Sequence, residues 1–383
     1  MSERSGFGRR RFLGTTGAAL LGGVAGCSNL PGTGSDTGGE FTWDTATFRG
    51  SGPIVSGRPA PGGTSIRDLP ALEGALTLYL GGGEGGLYVD LLNILRKIYP
   101  DLTLNVRTDS SSSHAQTIVQ EFEAQSTKAD VFLSIDAGSL GYVADNGAAR
   151  NLSSDVRSMV ARDHFKTNNW VGVEGRARTI PFNTNSIAAS DLPQDVMSIP
   201  DQPSLASTMG WAPTYGAFQA FITAMRITAG EDATRQWLSD MLDAGVSRYP
   251  DEFLVSNAVA DGEVAAGFAN HYYALRVQNA RPDAPIDLAF TSNDAGALVN
   301  VSGAEVIKGT KNPDLAENFV RHLLSSEAQE FFATRTFGYP MVSDVAPVGG
   351  LPTIDELDPP EFDLTKLANV SPTLDLMRDV GVL

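Results

Sequence analysis

Apolar runs of strand length alternate with helical segments from residue 75 onward, and this alternation restricts the chain to a small set of folds. The first run, residues 75–80, ends abruptly in a glycine-rich turn at residues 81–86. Residues 87–99 then carry apolar side chains at helical spacing and stop at Pro100. A second strand at residues 102–106 closes a strand–helix–strand unit. Units of this kind predict a parallel sheet covered by helices.

The same order continues along the chain. Residues 113–124 and 138–146 are predicted as helices on either side of a buried strand at residues 129–134. Apolar runs at residues 179–182 and 297–299 enclose a middle section with its own alternation. The helices predicted in that section are residues 215–227, 232–243 and 253–259.

This arrangement predicts an α/β protein of two lobes, each a mostly parallel sheet flanked by helices. The first lobe comprises residues 74–178 and 292–345, and the second comprises residues 179–291. Residues 346–383 form a C-terminal extension that ends in a helix at residues 371–380. The cleft between two such lobes, lined by strand ends and helix N-termini, is a favoured place for a small ligand.

The N-terminus carries the pattern of an export signal. The arginines at residues 9–11 precede an uncharged stretch at residues 14–26, which resembles a twin-arginine signal and is shorter than the roughly 20 residues of a membrane-spanning helix. Small residues then lead into Cys27, as in a lipidation site; the alternative is an incidental thiol. We predict a lipoprotein signal at residues 1–26, followed by a lipidated cysteine and flexible tether at residues 27–73. This would place the folded domain on the outer face of the cytoplasmic membrane.

The charge balance excludes a nucleic-acid partner held by phosphate contacts. Lys and Arg number 28 against 45 Asp and Glu, which gives a formal net charge of −17. Such an acidic surface repels phosphate backbones. Only six of the basic residues are lysine, and this acid-rich, lysine-poor composition predicts a halophilic source. The single cysteine excludes an internal disulfide and a zinc site built on cysteine pairs.

No sequence motif for catalysis is present. The chain lacks the P-loop of nucleotide hydrolases, the Gly-x-Ser-x-Gly nucleophile elbow and the His-Glu-x-x-His zinc motif. Its four histidines show no paired metal-ligand spacing. We therefore predict no catalytic residue, and an extracellular hydrolase is the less favoured alternative. The glycine-rich turn is either a tight turn or a backbone nest for an anion.

Tyr272 and Tyr273 are the sharpest local feature of the sequence. In a regular strand the two side chains would point to opposite faces and serve packing. If the strand ends at this point, both phenols can reach one ligand. Phenolate is a hard, anionic oxygen donor suited to Fe³⁺, because the charge of the metal replaces the phenolic proton. From the residues alone, packing and metal binding both stay open.

Several blocks of the chain resemble, in order, the ferric-iron type of extracellular solute-binding proteins that feed ABC importers. The blocks are residues 129–138 (ADVFLSIDAG), 170–178 (WVGVEGRAR), 210–221 (GWAPTYGAFQAF), 262–273 and 337–340 (FGYP). The resemblance implies a two-lobe periplasmic-binding-protein fold of type II, with the ligand cleft between the lobes.

The resemblance also implies site residues. Tyr272 and Tyr273 correspond to the adjacent iron-binding tyrosines of the family, presented from the second lobe. Further positions are expected to line the cleft or bind an anion: Gly82, Gly83, Glu84, Asp136, Ala137, Gly138, Thr214, Tyr215 and His271. Arg176 and Arg178 are expected to pair with acids at the lobe boundary, with contact to an anion as the alternative.

One position departs from the family pattern. Phe182 follows the Arg-x-Arg motif where many relatives carry a third tyrosine, and a phenyl ring cannot coordinate a metal. Additional ligands would then come from a bound anion, water or another side chain, with Glu84 and His114 as candidates. The alternative is a pocket that has changed to an oxyanion or a small organic anion.

The resemblance implies a receptor rather than an enzyme. It would capture Fe³⁺, alone or with carbonate, phosphate or citrate, and deliver it to an ABC permease and its ATPase. No catalytic cofactor is expected. We expect a monomer held at the membrane through the lipid on Cys27.

Overall fold

The computed structural model describes residues 41–82 and 86–383, and its framework is one mixed sheet. The predicted signal at residues 1–26 and Cys27 lie outside the described residues. The strands are β1 (Gly74–Gly81), β2 (Leu102–Asp109), β3 (Val131–Ser134), β4 (Trp170–Asn183), β5 (Met209–Trp211), β6 (Ser247–Arg248), β7 (Ala266–Gly267), β8 (Ala269–Asn270), β9 (Ile286–Ala289), β10 (Val299–Val306) and β11 (Tyr339–Pro340).

Helices connect most of these strands. They are α1 (Thr45–Phe48), α2 (Tyr88–Ile98), α3 (Ser111–Glu123), α4 (Ala137–Asp145), α5 (Ser154–Arg157), α6 (Pro203–Ala206), α7 (Gly216–Thr228), α8 (Glu231–Ala244), α9 (Glu252–Asp261), α10 (His271–Ala280), α11 (Pro313–Leu323), α12 (Ser326–Phe331) and α13 (Ser371–Val380). None of the helices in the described ranges combines the length and apolar character that crossing a membrane requires.

Side-chain caps fix where several helices begin. Ser110, Asp136 and Asp251 precede α3, α4 and α9, and each accepts a hydrogen bond from the backbone N–H three residues further on, at 3.1, 2.7 and 2.8 Å. These bonds satisfy N–H groups that a first helical turn leaves without an internal partner. The helices predicted from periodicity are confirmed, with ends that differ by a few residues at most.

The sheet is parallel on one side and mixed at its centre. Strands β2, β1 and β3 pair in parallel, and β10 lies antiparallel between β3 and β4. At the other end, β5 pairs in parallel with β6 and β7. The predicted α/β class is confirmed. Strand β10 runs antiparallel to its neighbours because the chain enters it on its way back from the far end of the sheet.

Strand β4 belongs to both ends of the sheet. It pairs with β10 as far as Ala177, with β8 from Arg178 and with β9 from Ile180. The change of partners falls between Ala177 and Arg178. We call the elements around β1, β2, β3 and β10 lobe 1, and those around β5, β6, β7 and β9 lobe 2. The chain crosses from lobe 1 to lobe 2 in β4 and returns between β9 and β10.

The prediction of a flexible tether over residues 27–73 is wrong for its described part. Phe48 is buried, and Arg49 and Arg58 both bind the buried carboxylate of Glu330 in α12, at 2.6 and 2.9 Å. The apolar residues of this segment stand singly in the sequence, and the acid that holds it lies far along the chain. Periodicity therefore carries no signal for such packing.

The C-terminal extension predicted at residues 346–383 also packs into the fold. Val348 and Leu357 are buried, and Arg162 donates a hydrogen bond to the carbonyl of Leu357 at 2.7 Å. The final helix has the predicted bounds.

Glu305 is a buried acid in the core of lobe 1. It lies on β10 opposite Phe132 of β3 and Trp170 of β4. Neither of its carboxylate oxygens has a hydrogen-bond partner among the described residues. Loss of hydration raises the pKa of this carboxyl well above its usual range, so the folded protein holds it protonated.

We predict that Glu305 makes stability depend on pH. An unfolded glutamate titrates near pH 4.3. Because the folded pKa is higher, the stability of the protonated form is fully present below that pH and is lost as pH rises toward the folded pKa. Glu305→Gln cannot ionise, so its free energy of unfolding should rise relative to that of wild type as the pH increases above about 4.3. Urea unfolding at fixed ionic strength measures this difference.

The matched control is Glu123→Gln, at an exposed position at the end of α3. Its unfolding free energy should follow the wild-type pH profile. A Glu305→Gln curve parallel to wild type at all pH values would contradict the assignment of a buried, protonated acid.

Candidate metal-binding cleft

A cavity of about 830 Å³ lies between the lobes. Lobe 1 lines it with the first turns of α3 and α4, and lobe 2 lines it with the beginnings of α7 and α10. The polar side chains on the lobe 1 wall are Ser110, Ser111, Ser112, Gln116, Asp136, Ser139, Tyr142, Arg176 and Asn300. Helix N-termini carry partial positive charge, so these walls suit an anionic ligand or a metal bound with an anion.

The tyrosine pair sits where a strand becomes a helix. β8 ends at Asn270, and α10 begins at His271, so Tyr272 and Tyr273 occupy the first helical turn. Their ring centroids are 4.3 Å apart, at an interplanar angle of 49°, and the side chains are 2% and 5% exposed. The change in backbone conformation places two adjacent side chains side by side, which a continued strand would not do.

A third phenol reaches the pair from a different element. Tyr215 is the residue before α7, its hydroxyl is hydrogen-bonded to that of Tyr273, and the two ring centroids are 6.2 Å apart. The sequence marked Tyr215 as a cleft residue but gave no reason to join it to the pair, because only tertiary packing brings α7 and α10 together. Phe182 instead lies buried in β4, in register with Ala266.

The phenol pair lies beside a cation and among apolar side chains. The guanidinium of Arg276 lies over both rings of the pair, 4.9 Å from the Tyr272 centroid and 5.4 Å from the Tyr273 centroid. Val55, Phe337 and other apolar side chains pack around the pair. A cation in such a poorly hydrated place attracts a phenolate more strongly than it would in water.

A buried ion pair positions both tyrosine-bearing segments. Arg178 is 2% exposed and donates to Glu252 at 2.6 Å and to the carbonyl of Ala217, in the first turn of α7, at 2.6 Å. Glu252 also accepts a hydrogen bond from the backbone N–H of Asn270 at 2.9 Å. The expectation that Arg178 pairs with an acid at the lobe boundary is confirmed.

Three of the residues expected in the cleft line the cavity from lobe 1: Gly82, Asp136 and Gly138. Asp136 accepts hydrogen bonds from the backbone N–H and hydroxyl of Ser139, at 2.7 and 3.1 Å, so its carboxylate serves the start of α4.

Among the described residues, three expected cleft residues are absent from the cavity wall, and His271 is one of them. Ala137 is buried beneath it in the first turn of α4, and Thr214 is exposed to solvent outside it. Gly83 and Glu84 lie outside the described residues.

The expectation that His271 lines the cleft is wrong. Its side chain is 1% exposed and turns toward β4, where Nδ1 lies 3.2 Å from the backbone nitrogen of Ala177. Burial lowers the pKa of His271 to about 3, so the imidazole is neutral and cannot attract an anion by charge. Its position beside the tyrosines in sequence did not reveal this, because the first residue of a helix faces a different direction from the second.

His114 is not a metal ligand candidate in this structure. It lies in α3 with its ring 4.8 Å from that of Tyr79, and its Nε2 is 3.1 Å from the carbonyl oxygen of Arg107. Burial lowers the pKa of this histidine. Within residues 41–82 and 86–383, no group of three His, Cys, Asp or Glu side chains is placed to hold a metal ion. The candidate metal-coordinating atoms that lie close together in the fold are the phenol oxygens of Tyr215 and Tyr273.

Comparison with known proteins identifies the family. The model of the bacterial extracellular solute-binding proteins matches residues 90–330. The chain belongs to this family. The resemblance inferred from sequence to the ferric-iron type of solute-binding protein is confirmed by its relatives.

Two curated relatives carry iron in their names. The major ferric iron-binding protein of Neisseria meningitidis serogroup B is 30% identical over 216 residues, which are 56% of this chain and 65% of the relative. The chain thus spans just under two thirds of that relative. The Fe(3+)-binding periplasmic protein of Serratia marcescens is 25% identical over 288 residues, which are 74% of this chain and 83% of the relative.

A solved structure supports the two-lobe architecture. Iron-bound HitA from Pseudomonas aeruginosa is 30% identical to this solute-binding protein, with a TM-score of 0.67. The match covers 80% of this chain and 99% of HitA.

The two walls of the cleft in this solute-binding protein differ in chemistry. Lobe 2 contributes phenols. Lobe 1 contributes hydroxyl and amide groups and the carboxylate of Asp136, which is engaged by Ser139. Arg176 of β4 also lines the cavity and donates to the carbonyl of Ile135. Hydroxyl, N–H and guanidinium donors favour anions over cations. The geometry suits a ligand with a metal toward lobe 2 and anionic oxygens toward lobe 1.

We predict that Arg178→Gln destabilises this solute-binding protein by about 3–5 kcal/mol, because it leaves the buried Glu252 carboxylate without its cation. Thermal or urea unfolding measures the loss. The exposed pair of Arg281 and Asp261 provides the control, since Arg281→Gln should cost at most about 1 kcal/mol. Equal losses in the two variants would contradict the role given to the buried pair.

Proposed function

We propose that this solute-binding protein captures ferric iron outside the cell and delivers it to the permease of an ABC importer. The observation that carries the proposal is a cluster of three tyrosines on lobe 2: Tyr215 and Tyr272 line the cavity, and Tyr273 lies beside them, with its hydroxyl bonded to that of Tyr215 and its ring against that of Tyr272. The names of the Neisseria and Serratia relatives and the iron in the HitA structure support the same ligand.

Three phenolates match the charge and hardness of Fe³⁺. Each phenol that binds the metal loses its proton, because the metal replaces the proton as the positive partner of the oxygen. Arg276 adds positive charge behind the ring pair and so offsets repulsion between neighbouring phenolates. Tyr215 takes the place of the ligand that Phe182 cannot supply. The proposed metal donors are thus all on lobe 2.

The remaining coordination positions belong to an anion in this proposal. Carbonate, phosphate and citrate all present oxygens to a metal and can also accept hydrogen bonds. The N-terminus of α3, with Ser110, Ser111 and Ser112, and the guanidinium of Arg176 form the receiving wall on lobe 1. A ligand of this kind touches both lobes, as closure of the cleft requires.

Delivery does not require turnover, so the protein acts as a receptor and not as an enzyme. Members of the family are extracellular solute-binding proteins. The attachment of this one to the outer face of the membrane, through lipid on Cys27 after removal of residues 1–26, is a proposal from the sequence. We further propose a monomer that engages a permease driven by a separate ATPase.

We predict that Tyr215→Phe, Tyr272→Phe and Tyr273→Phe each weaken Fe³⁺ binding by about 100-fold or more, since losing an outer-shell contact already costs roughly 10- to 100-fold. Each variant removes one oxygen and keeps the ring that packs in the cleft. Titration with chelated Fe³⁺, followed by visible iron–phenolate absorbance and by metal analysis, measures the loss.

Tyr339→Phe is the matched control for the tyrosine series. Tyr339 is buried near His271, and its hydroxyl has no hydrogen-bond partner among the described residues. This variant should bind iron as wild type does. A colourless wild-type protein without stoichiometric iron would contradict the proposed function and favour an oxyanion or a small organic anion as the ligand.

We predict that Arg176→Gln weakens binding of the anion and leaves the contacts between iron and the phenols unchanged. Iron affinity is measured with carbonate, phosphate or citrate at saturation. With the anion that wild type uses, it should fall about 10- to 100-fold, because a charged hydrogen-bond donor is lost. The wavelength of the iron–phenolate band should stay unchanged. Equal affinity of wild type and variant for iron with all three anions would contradict the role of Arg176.

A further inference from the structure

The last twenty residues of the chain form a segment that is docked on both lobes. It consists of a 3₁₀ helix at Leu364–Ala368 and helix α13, joined by Asn369 and Val370. We call residues 364–383 the C-terminal strap. The chain crosses between the lobes in β4 and in the β9–β10 connection, and the strap adds a crossing beside the cavity.

The first end of the strap fits closely against α4 of lobe 1. A Cβ atom added at Gly138 would lie 2.8 Å from the Cβ of Ala368, and one added at Gly141 would overlap the side chain of Thr365. Contacts this short are not tolerated between real side chains, so two glycines one turn apart permit the 3₁₀ helix to lie on α4. The buried side chains of Leu364 and Leu367 hold it there.

The second end of the strap is held on lobe 2 by apolar and polar contacts. Leu376 and Met377 of α13 are buried. The hydroxyls of Thr373 and Thr223, which lies in α7, are 2.9 Å apart. Arg226, also in α7, donates to the hydroxyl of Thr373 at 3.2 Å.

Contacts on either side of α13 strengthen this dock. Arg226 also donates to the carbonyl of Asn369 at 3.3 Å. Arg248 of β6 donates to the carbonyls of Gly381 and Val382, at 2.8 and 3.0 Å.

The joint between the two ends lies at the cavity itself. Leu367, Ala368 and Val370 form an apolar part of the cavity wall. The helix on which α13 is docked is α7, the same helix whose preceding residue is Tyr215. The strap therefore connects the lobe 1 wall to the element that presents one of the three phenols.

We infer that the C-terminal strap limits how far the lobes separate and thereby slows the escape of the bound ligand. Rotation of the lobes about β4 moves α4 relative to α7, and the two-residue joint, whose Asn369 carbonyl is bound by Arg226, is the part of the strap that has to absorb that movement. Because so short a joint is soon fully extended, the strap stops opening before either dock has to break. The consequence for iron release rests on the proposed function.

The direct test lengthens the joint. Insertion of two glycines between Ala368 and Asn369 adds about 7 Å of reach while both docks keep their residues. The ligand-free variant should show a larger radius of gyration than wild type by small-angle X-ray scattering. Transfer of iron to an excess of competing chelator should be about fivefold faster or more, with an unchanged visible band.

The matched control inserts the same two glycines between Pro282 and Asp283, an exposed loop within lobe 2. It should leave both the scattering and the transfer rate at wild-type values. An equal transfer rate and radius for wild type and the Ala368–Asn369 insertion, with both folded, would overturn the inference.

A second pair of variants tests the lobe 1 dock by rescue. Gly141→Ala places a methyl group against Thr365 and should loosen the strap, so the ligand-free radius and the iron-transfer rate should both rise. Adding Thr365→Gly removes the overlapping side chain and should return both quantities toward wild type. The inference would be contradicted if Gly141→Ala kept the wild-type radius of gyration and iron-transfer rate. It would also be contradicted if the double variant were no closer to wild type in these two quantities than Gly141→Ala alone.

The two proposals fail in different ways. If wild type binds no iron, the proposed function is lost, and the scattering of the ligand-free variants still decides whether the strap limits opening. If wild type binds iron and the strap variants match it in radius and rate, the proposed function stands and the strap has no such role.

Discussion

The buried ion pair between Arg178 and Glu252 is the interaction on which the cleft depends. Arg178 lies in β4 at the point where this strand changes partners between the lobes. Its guanidinium binds Glu252 and the first turn of α7, while Glu252 binds the backbone two residues before Tyr272. One pair of charges thus fixes the hinge strand and both tyrosine-bearing segments together. Breaking a buried pair leaves an uncompensated charge, so this geometry has little freedom to relax.

The two lobes present different kinds of side chain to the cavity. The tyrosines proposed to bind the metal are all on lobe 2, where the guanidinium of Arg276 lies over the rings of Tyr272 and Tyr273. Lobe 1 meets them with hydroxyls and helix N-termini, which suit the oxygens of an anion. A ligand that joins a metal to an anion satisfies both walls at once. The C-terminal strap fits this division, because its two docks hold α4 and α7 on opposite sides of the same cavity.

Local patterns predicted local structure well and distant contacts poorly. The helices now numbered α2, α3, α4, α7, α8, α9 and α13 are all predicted from the sequence, chiefly from apolar spacing, which acts within a few positions of the chain. The packing of residues 41–73 was missed because Arg49 and Arg58 are held by Glu330, far away in sequence. His271 was misplaced for a related reason. Its neighbours in sequence are cleft residues, but the first turn of α10 directs its ring toward β4.

The sequence by itself determined the α/β class, the two-lobe organisation and the tyrosine pair, since each depends on residue types in short, continuous patterns. Only the tertiary structure decided that Tyr215 joins that pair and that the C-terminal segment lines the cavity. These facts depend on which helices the sheet brings together. The sheet does so through contacts between apolar side chains far apart in the chain and through a buried ion pair, and no local pattern in the sequence marks which distant residues meet.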